Sequence, residues 1–159
     1  MKTLFVILFL STSIVLLSLP VTKFYNYKST VEDSLKADRM KYMNEVMASI
    51  KGKEKMRADS VFKNLKVIIG PSSISAEHLL WMMNWGWSEE LGISCSYCHA
   101  KDNWESDELR PKEIARGMWN MRVKINKEIL PQITGRDYEA HPMVTCITCH
   151  RGKPIPSNK

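Results

Sequence analysis

The sequence predicts a mostly α-helical protein, with short helices and long loops and one apolar segment in front. Three observations carry that expectation. No stretch alternates apolar and polar residues in the manner of a half-buried strand. Apolar residues recur instead at three- and four-residue steps, as in Ile114, Met118, Met121, Ile125 and Ile129. The order helix, loop, C-x-x-C-H occurs twice, although the two loops differ in length. At 159 residues there is room for one modest domain. Much of the 44% hydrophobic content sits in the first twenty residues. What remains has difficulty filling a core with side chains alone, and a large apolar cofactor would make up the shortfall.

The first element is the run Leu4 to Leu17, closed by Pro20. Its length lies between a secretory signal core and a bilayer-spanning helix. Residues 1–22 read as a signal peptide or signal anchor. The lack of a small-x-small cleavage site near Pro20-Val21-Thr22 favours the retained anchor. Either reading places the rest of the chain outside the cytoplasm, with membrane association through residues 4–20.

Residues 23–58 read as a charged helical stalk. They hold nine Lys/Arg against five Asp/Glu, a net of +4, whereas residues 59–159 hold thirteen against twelve. The basicity therefore lies beside the membrane, where anionic headgroups attract it, or else forms a solvated helix face. That placement in an exported chain argues against a nucleic-acid partner. Met40, Met43, Met47 and Ile50 form one apolar stripe suited to packing.

In residues 59–159, Ser75 suits a helix N-cap and Glu77 its first turn. The helix runs through Trp81-Met82-Met83 and ends at Leu91-Gly92, with Asn84 and Gly86 as candidate breaks. Pro111 suits the first turn of a second helix, which Pro131 stops. Asp102-Asn103 and Gly135-Arg136-Asp137 read as turns.

The chemistry lies in Cys95-Ser96-Tyr97-Cys98-His99 and Cys146-Ile147-Thr148-Cys149-His150. C-x-x-C-H is the attachment signature of a c-type haem. Two thiols three residues apart reach the two vinyl groups on one porphyrin edge, and the following His offers its imidazole to the iron. All four cysteines are used, two per motif. Paired zinc ligands or two small-loop disulfides leave the trailing histidines unexplained. The expectation is two haem c groups, held by Cys95 and Cys98 and by Cys146 and Cys149, with His99 and His150 as axial ligands. A sixth ligand is sought on the helix preceding each motif. Met82 or Met83 are candidates for the first haem, with His78 as competitor. Met118, Met121 and His141 are candidates for the second. The five tryptophans, which gather around the motif-bearing segments, are expected to pack against the porphyrins.

Cys146 to Gly152 with Val144-Thr145 before it, the block Ala115 to Met121 running to Ile125-Asn126, and Leu91-Gly92-Ile93-Ser94 resemble the cytochrome subunit family of photosynthetic reaction centres. Val61 to Val67 resembles small two-haem relatives from bacteria that are not phototrophs. The resemblance covers roughly residues 59–155. It implies Met/His ligation, with Met83 (alternatively Met82) on the first iron and Met118 (alternatively Met121) on the second. It implies electron exchange with redox protein partners on the periplasmic side of the bacterial cytoplasmic membrane. With two motifs rather than four, it does not imply photosynthetic function. Two other classes stand beside the carrier reading. One is a small peroxidase with one open iron site, and the other is a structural or sensory haem module of a membrane complex.

Overall fold

In the computed structural model the described residues are 19–133 and 143–157. The expected membrane segment therefore lies almost wholly outside them, and no described helix is long and apolar enough to cross a membrane. His141 and the turn expected at 135–137 also lie outside the described residues. The chain divides into two units, residues 1–34 and 35–159.

Helix α1 spans Leu19–Ser49 and belongs in part to each unit. No Gly interrupts it and its one Pro is at the second position, so every later peptide N–H can join the ladder. It ends before Gly52, whose φ of +83° is the left-handed conformation glycine adopts without strain. Within the second unit, the part of α1 from Leu35 onward carries the expected stripe. Ile50, just beyond the helix, is buried, and Met40, Met43 and Met47 are half-buried.

The short helix α2 (Ala58–Val61) follows. The chain on either side of it is pinned by backbone bonds across a long sequence gap. Ala58 N donates to Ile74 O, Ala76 N to Met56 O and Glu77 N to Glu54 O. Ala58 and Ala76 are fully buried at this crossing, where a larger side chain would force the segments apart. Ala58, Val67, Ile68 and Leu79 form the core cluster, with Phe62, Leu65, Met83, Trp87 and Trp119 packed around it. No large side chain is fully buried among the described residues. This agrees with the expectation that the protein part alone cannot fill its interior.

Helix α3 (Ala76–Trp81) starts where Ser75 predicts, with Ser75 Oγ accepting from His78 N at 3.3 Å. It does not break at Asn84 or Gly86. It widens into a π-helical stretch, Met82–Glu89, and stops at Gly92 (φ +63°). The reason is tertiary. Asn84 is buried, accepts from Arg39 Nε at 3.1 Å and donates to the sulfurs of Met40 and Met43 at 3.3 Å. A polar residue that reads as a helix breaker is thus satisfied by a partner on α1.

Helix α4 (Arg110–Lys124) begins with Pro111 in its first turn and runs on through a π-helical turn, Ile125–Ile129. Ile114, Met118, Met121 and Ile129 share a face as their spacing predicts, yet each is exposed. The buried residues of α4 are Lys112 and Arg116. Lys112 donates to the carbonyls of Trp104 and Ser106, and Arg116 to that of Asn64. Both pair with Asp107, at 3.4 and 2.9 Å. Helix α5 (Cys146–His150) completes the chain. Among the described residues there are isolated bridges but no strand, in keeping with a mostly helical protein.

Asp107 supplies a pH test. The Lys66 ammonium, which donates to it at 2.7 Å, holds its carboxyl well below the usual range, and Asn64 and Arg116 add to the effect. A folded-state pKa below the unfolded one gives stability that is present above the unfolded value and lost as pH falls toward the folded value. Between about pH 5 and pH 2 the wild-type unfolding midpoint is expected to drop more steeply than that of Asp107→Asn. Parallel acid limbs would show that Asp107 contributes nothing to folding.

Candidate haem-binding sites

The first motif sits on a 3-10 turn, Cys95–Tyr97, directly after the Gly92 bend. His99 N and Cys98 N both donate to Cys95 O, so the motif curls on itself and sets Cys95, Cys98 and His99 close together. Cys95 and Cys98 are free thiols. Burial pushes both up, Cys98 to about 11, so each is protonated in the chain without cofactor. Burial also pushes the His99 imidazole down, toward the neutral form that ligates metals. Its Nδ1 lies 3.0 Å from Trp104 O. A carbonyl only accepts, so Nδ1 carries the proton and Nε2 keeps its lone pair free.

These three side chains line a cavity of about 510 Å³. Helix α1 contributes Tyr42, Met43 and Val46 to its walls, the core segment Phe62 and Val67, and α3 with its extension Leu79, Met83 and Trp87. The size suits a large ligand. The walls are mostly apolar, and paired thiols with a histidine of defined tautomer project at one place. These residues fit a covalently held haem. Of the two expected methionines, Met83 lines this cavity and Met82 does not. His78 is exposed on α3.

The second motif forms α5. Thr145 caps it reciprocally, its side chain accepting from Thr148 N and its N–H donating to Thr148 Oγ1. Arg151 and Gly152 then turn in left-handed conformations, φ +51° and +74°. That turn brings Lys153 O to 3.0 Å from His150 Nδ1, so this imidazole too has its Nε2 free. Cys146 is half-buried and Cys149 exposed, and both are free thiols. Burial and the Glu90 carboxylate raise the Cys146 thiol.

The second site is tied to the first through the end of the α3 extension. Glu90 O accepts from Gly152 N at 3.1 Å, and Glu90 Oε2 accepts from Ile147 N at 3.0 Å. On the other side Asn126 clamps Val144 through both its side-chain groups at 2.8 Å, and Arg122 donates to Val144 O. A smaller cavity, about 240 Å³, lies here between Met82, Gly86, Trp87, Glu90, Trp119, Arg122, Thr145 and Cys146. Met118 and Met121 do not line it; they lie on the exposed apolar face of α4.

Sequence reading missed Glu90, Asn126, Arg122 and the Arg39–Asn84 pair. Nothing in the local pattern distinguishes them from solvated polar residues. The positive φ values at Arg151 and Gly152 did have a signal, the His-Arg-Gly ending. The described residues bring no group of three or more His, Cys, Asp or Glu together in a way that could hold a metal ion. The two cysteine pairs do not converge on one site, as a four-cysteine zinc centre requires.

A profile of the family described as photosynthetic reaction centre cytochrome C subunit matches residues 22–159. The chain belongs to this family. Similar proteins include the photosynthetic reaction center cytochrome c subunit of Thermochromatium tepidum, 38% identical over 65 residues that cover 39% of this chain and 14% of that protein. The subunit of Rubrivivax gelatinosus is 32% identical over 102 residues, 63% of this chain and 25% of the relative. Cytochrome c-554 of Chloroflexus aurantiacus is 34% identical over 91 residues, 57% and 20% respectively. The chain thus spans a quarter or less of the length of these relatives. Membership makes it a c-type cytochrome, a class whose cofactor is covalently bound haem c.

Proposed function

We propose that the chain carries two haem c groups and passes single electrons between redox protein partners at the periplasmic face of the bacterial cytoplasmic membrane. The observation that carries this reading is the shared build of the two motifs. In each, two free thiols precede a histidine whose Nδ1 donates to a backbone carbonyl. One haem would be held by Cys95 and Cys98, the other by Cys146 and Cys149. His99 and His150 would be the histidine ligands, and Met83 and Met118 the methionine ligands. Met82, Met121 and His141 are the alternatives. Residues 1–22 would anchor or export the chain, 23–58 form the stalk and 59–159 the haem domain.

Haem iron with a histidine and a methionine ligand changes oxidation state by one electron, and the thioether raises its potential relative to a second histidine. The chain's own residues then have three tasks. Trp104 O and Lys153 O orient the two imidazoles and keep Nε2 available. The apolar walls from α1 and α3 exclude water from the first site. The Glu90 and Asn126 contacts hold the second motif in place against the first. A carrier needs no acid–base group at an open iron site, and none is assigned here.

A pyridine haemochrome and a near-infrared ferric spectrum test the proposal. Two haems per chain with a sulfur-to-iron charge-transfer band are expected. Met83→Leu and Met118→Leu should each remove about half of the band, while Met82→Leu and Met121→Leu leave it intact. The band surviving in Met83→Leu and vanishing in Met82→Leu would reassign the first ligand. Two haems without the band would move the ligands to histidine or to an open site, and carbon monoxide binding would then favour the peroxidase reading. No covalent haem would overturn the proposal.

A further inference from the structure

The two cavities share one wall, the π-helical stretch Met82–Glu89. Met83, Asn84 and Ser88 face the cavity of the first motif, and Met82 and Gly86 face that of the second. Among the described residues only Trp87 lines both. We infer that Trp87 is the side chain through which the two haem sites exchange electrons, an inference that rests on the two-haem reading above.

Three features suit Trp87 to this task. Its position is held from several sides, because the stretch that carries it is locked by buried Asn84 against Arg39 and by Ile93 N donating to Ser88 O at 2.9 Å. The indole packs against the core cluster, so atoms rather than water fill the space between the sites. Its ring lies 5.4 Å from that of Trp119, tilted by 41°, and Trp119 lines the second cavity with the Arg122 guanidinium 4.8 Å over its face. A continuous aromatic path therefore leads from the first cavity through Trp87 to the inner wall of the second. The remaining stacked pair, Trp81 and Trp85, has centroids 3.9 Å apart but lines neither cavity.

The step balances simply. One electron leaves ferrous iron at one site and arrives at ferric iron at the other. No bond forms or breaks, no proton moves, and the indole is neither oxidised nor reduced overall. Densely packed, covalently continuous atoms couple the two sites better than a void or a loose water, so shortening the side chain weakens the coupling.

The test uses the full haem-loaded chain. Haem content and the two midpoint potentials are measured first for wild type, Trp87→Leu, Trp87→Phe and Trp81→Leu. The fully ferric protein is then reduced by a pulse-radiolysis electron donor. The concentration-independent phase in which the electron redistributes between the haems is followed optically. With two haems and unchanged potentials, Trp87→Leu should slow that phase several-fold and Trp87→Phe less, while Trp81→Leu matches wild type. Wild-type redistribution in Trp87→Leu overturns the inference. Should that variant not accumulate, Trp87→Phe is read in its place: slower exchange supports the inference and unchanged exchange overturns it. Fewer than two haems in the wild type defeats the underlying reading instead, so the two failures are distinguishable.

Discussion

The double variant Cys95→Ala, Cys98→Ala is expected to lose its first haem and to fail to accumulate as a folded exported protein. The reason lies in what surrounds the first motif. The core cluster consists of Ala58, Val67, Ile68 and Leu79, and the larger apolar groups (Phe62, Met83 and Trp87 among them) stand around a cavity of about 510 Å³. At about 24 cal/mol per Å³ of unrelaxed void, leaving that space empty costs on the order of 10 kcal/mol. This is comparable with the whole stability of an ordinary domain. Collapse or water entry lowers the cost only by giving up the arrangement of α1 and α3. The corresponding change at Cys146 and Cys149 should be milder, because its cavity is smaller and Cys149 is exposed. Immunoblots and haem staining of exported protein read both. Normal accumulation of the Cys95/Cys98 variant would show that the protein part folds without this haem.

Gly92→Ala is expected to destabilise the haem domain by about 2–4 kcal/mol, through backbone strain and broken hydrogen bonds. Gly92 has φ +63°, where an L side chain costs about 1–2 kcal/mol. A Cβ there would also fall within van der Waals overlap of the carbonyl oxygen of Gly152, a backbone atom that no rotamer can move aside. The Gly152–Glu90 and Ile147–Glu90 hydrogen bonds depend on that close approach. The second motif would therefore shift relative to the first. Gly117→Ala is the control: it sits within α4, meets nothing within 4 Å, and should be neutral or stabilising by about 0.5–1 kcal/mol. Equal unfolding midpoints for the two variants would remove the contact between Gly92 and Gly152 as a determinant of the fold.

Much of the local structure was legible in the residues themselves. Ser75 as N-cap, Pro111 in a first turn, Gly92 at a helix end and Asp102 in a turn all act through backbone geometry within a few residues, so composition alone reveals them. The two C-x-x-C-H motifs and their chemistry are of the same kind. Asn84 shows where such reading stops. Its local signal is a helix break, but Arg39, forty-five positions earlier, accepts its place in the interior and the helix continues. Lys112 and Arg116 likewise read as a solvated polar face, yet Asp107 and three carbonyls receive them, and the apolar face beside them stays open.

The sequence by itself determined the helical class, the starts and stops of α3 and α4, and the two cysteine–histidine motifs, because propensity, caps and motif spacing are local properties. The tertiary structure alone decided which faces are buried, which tautomer each histidine holds, which methionine lines which cavity, and that Trp87 stands on the wall between them. These depend on partners distant in the chain, whose contacts form only when α1, α3, α4 and α5 pack together.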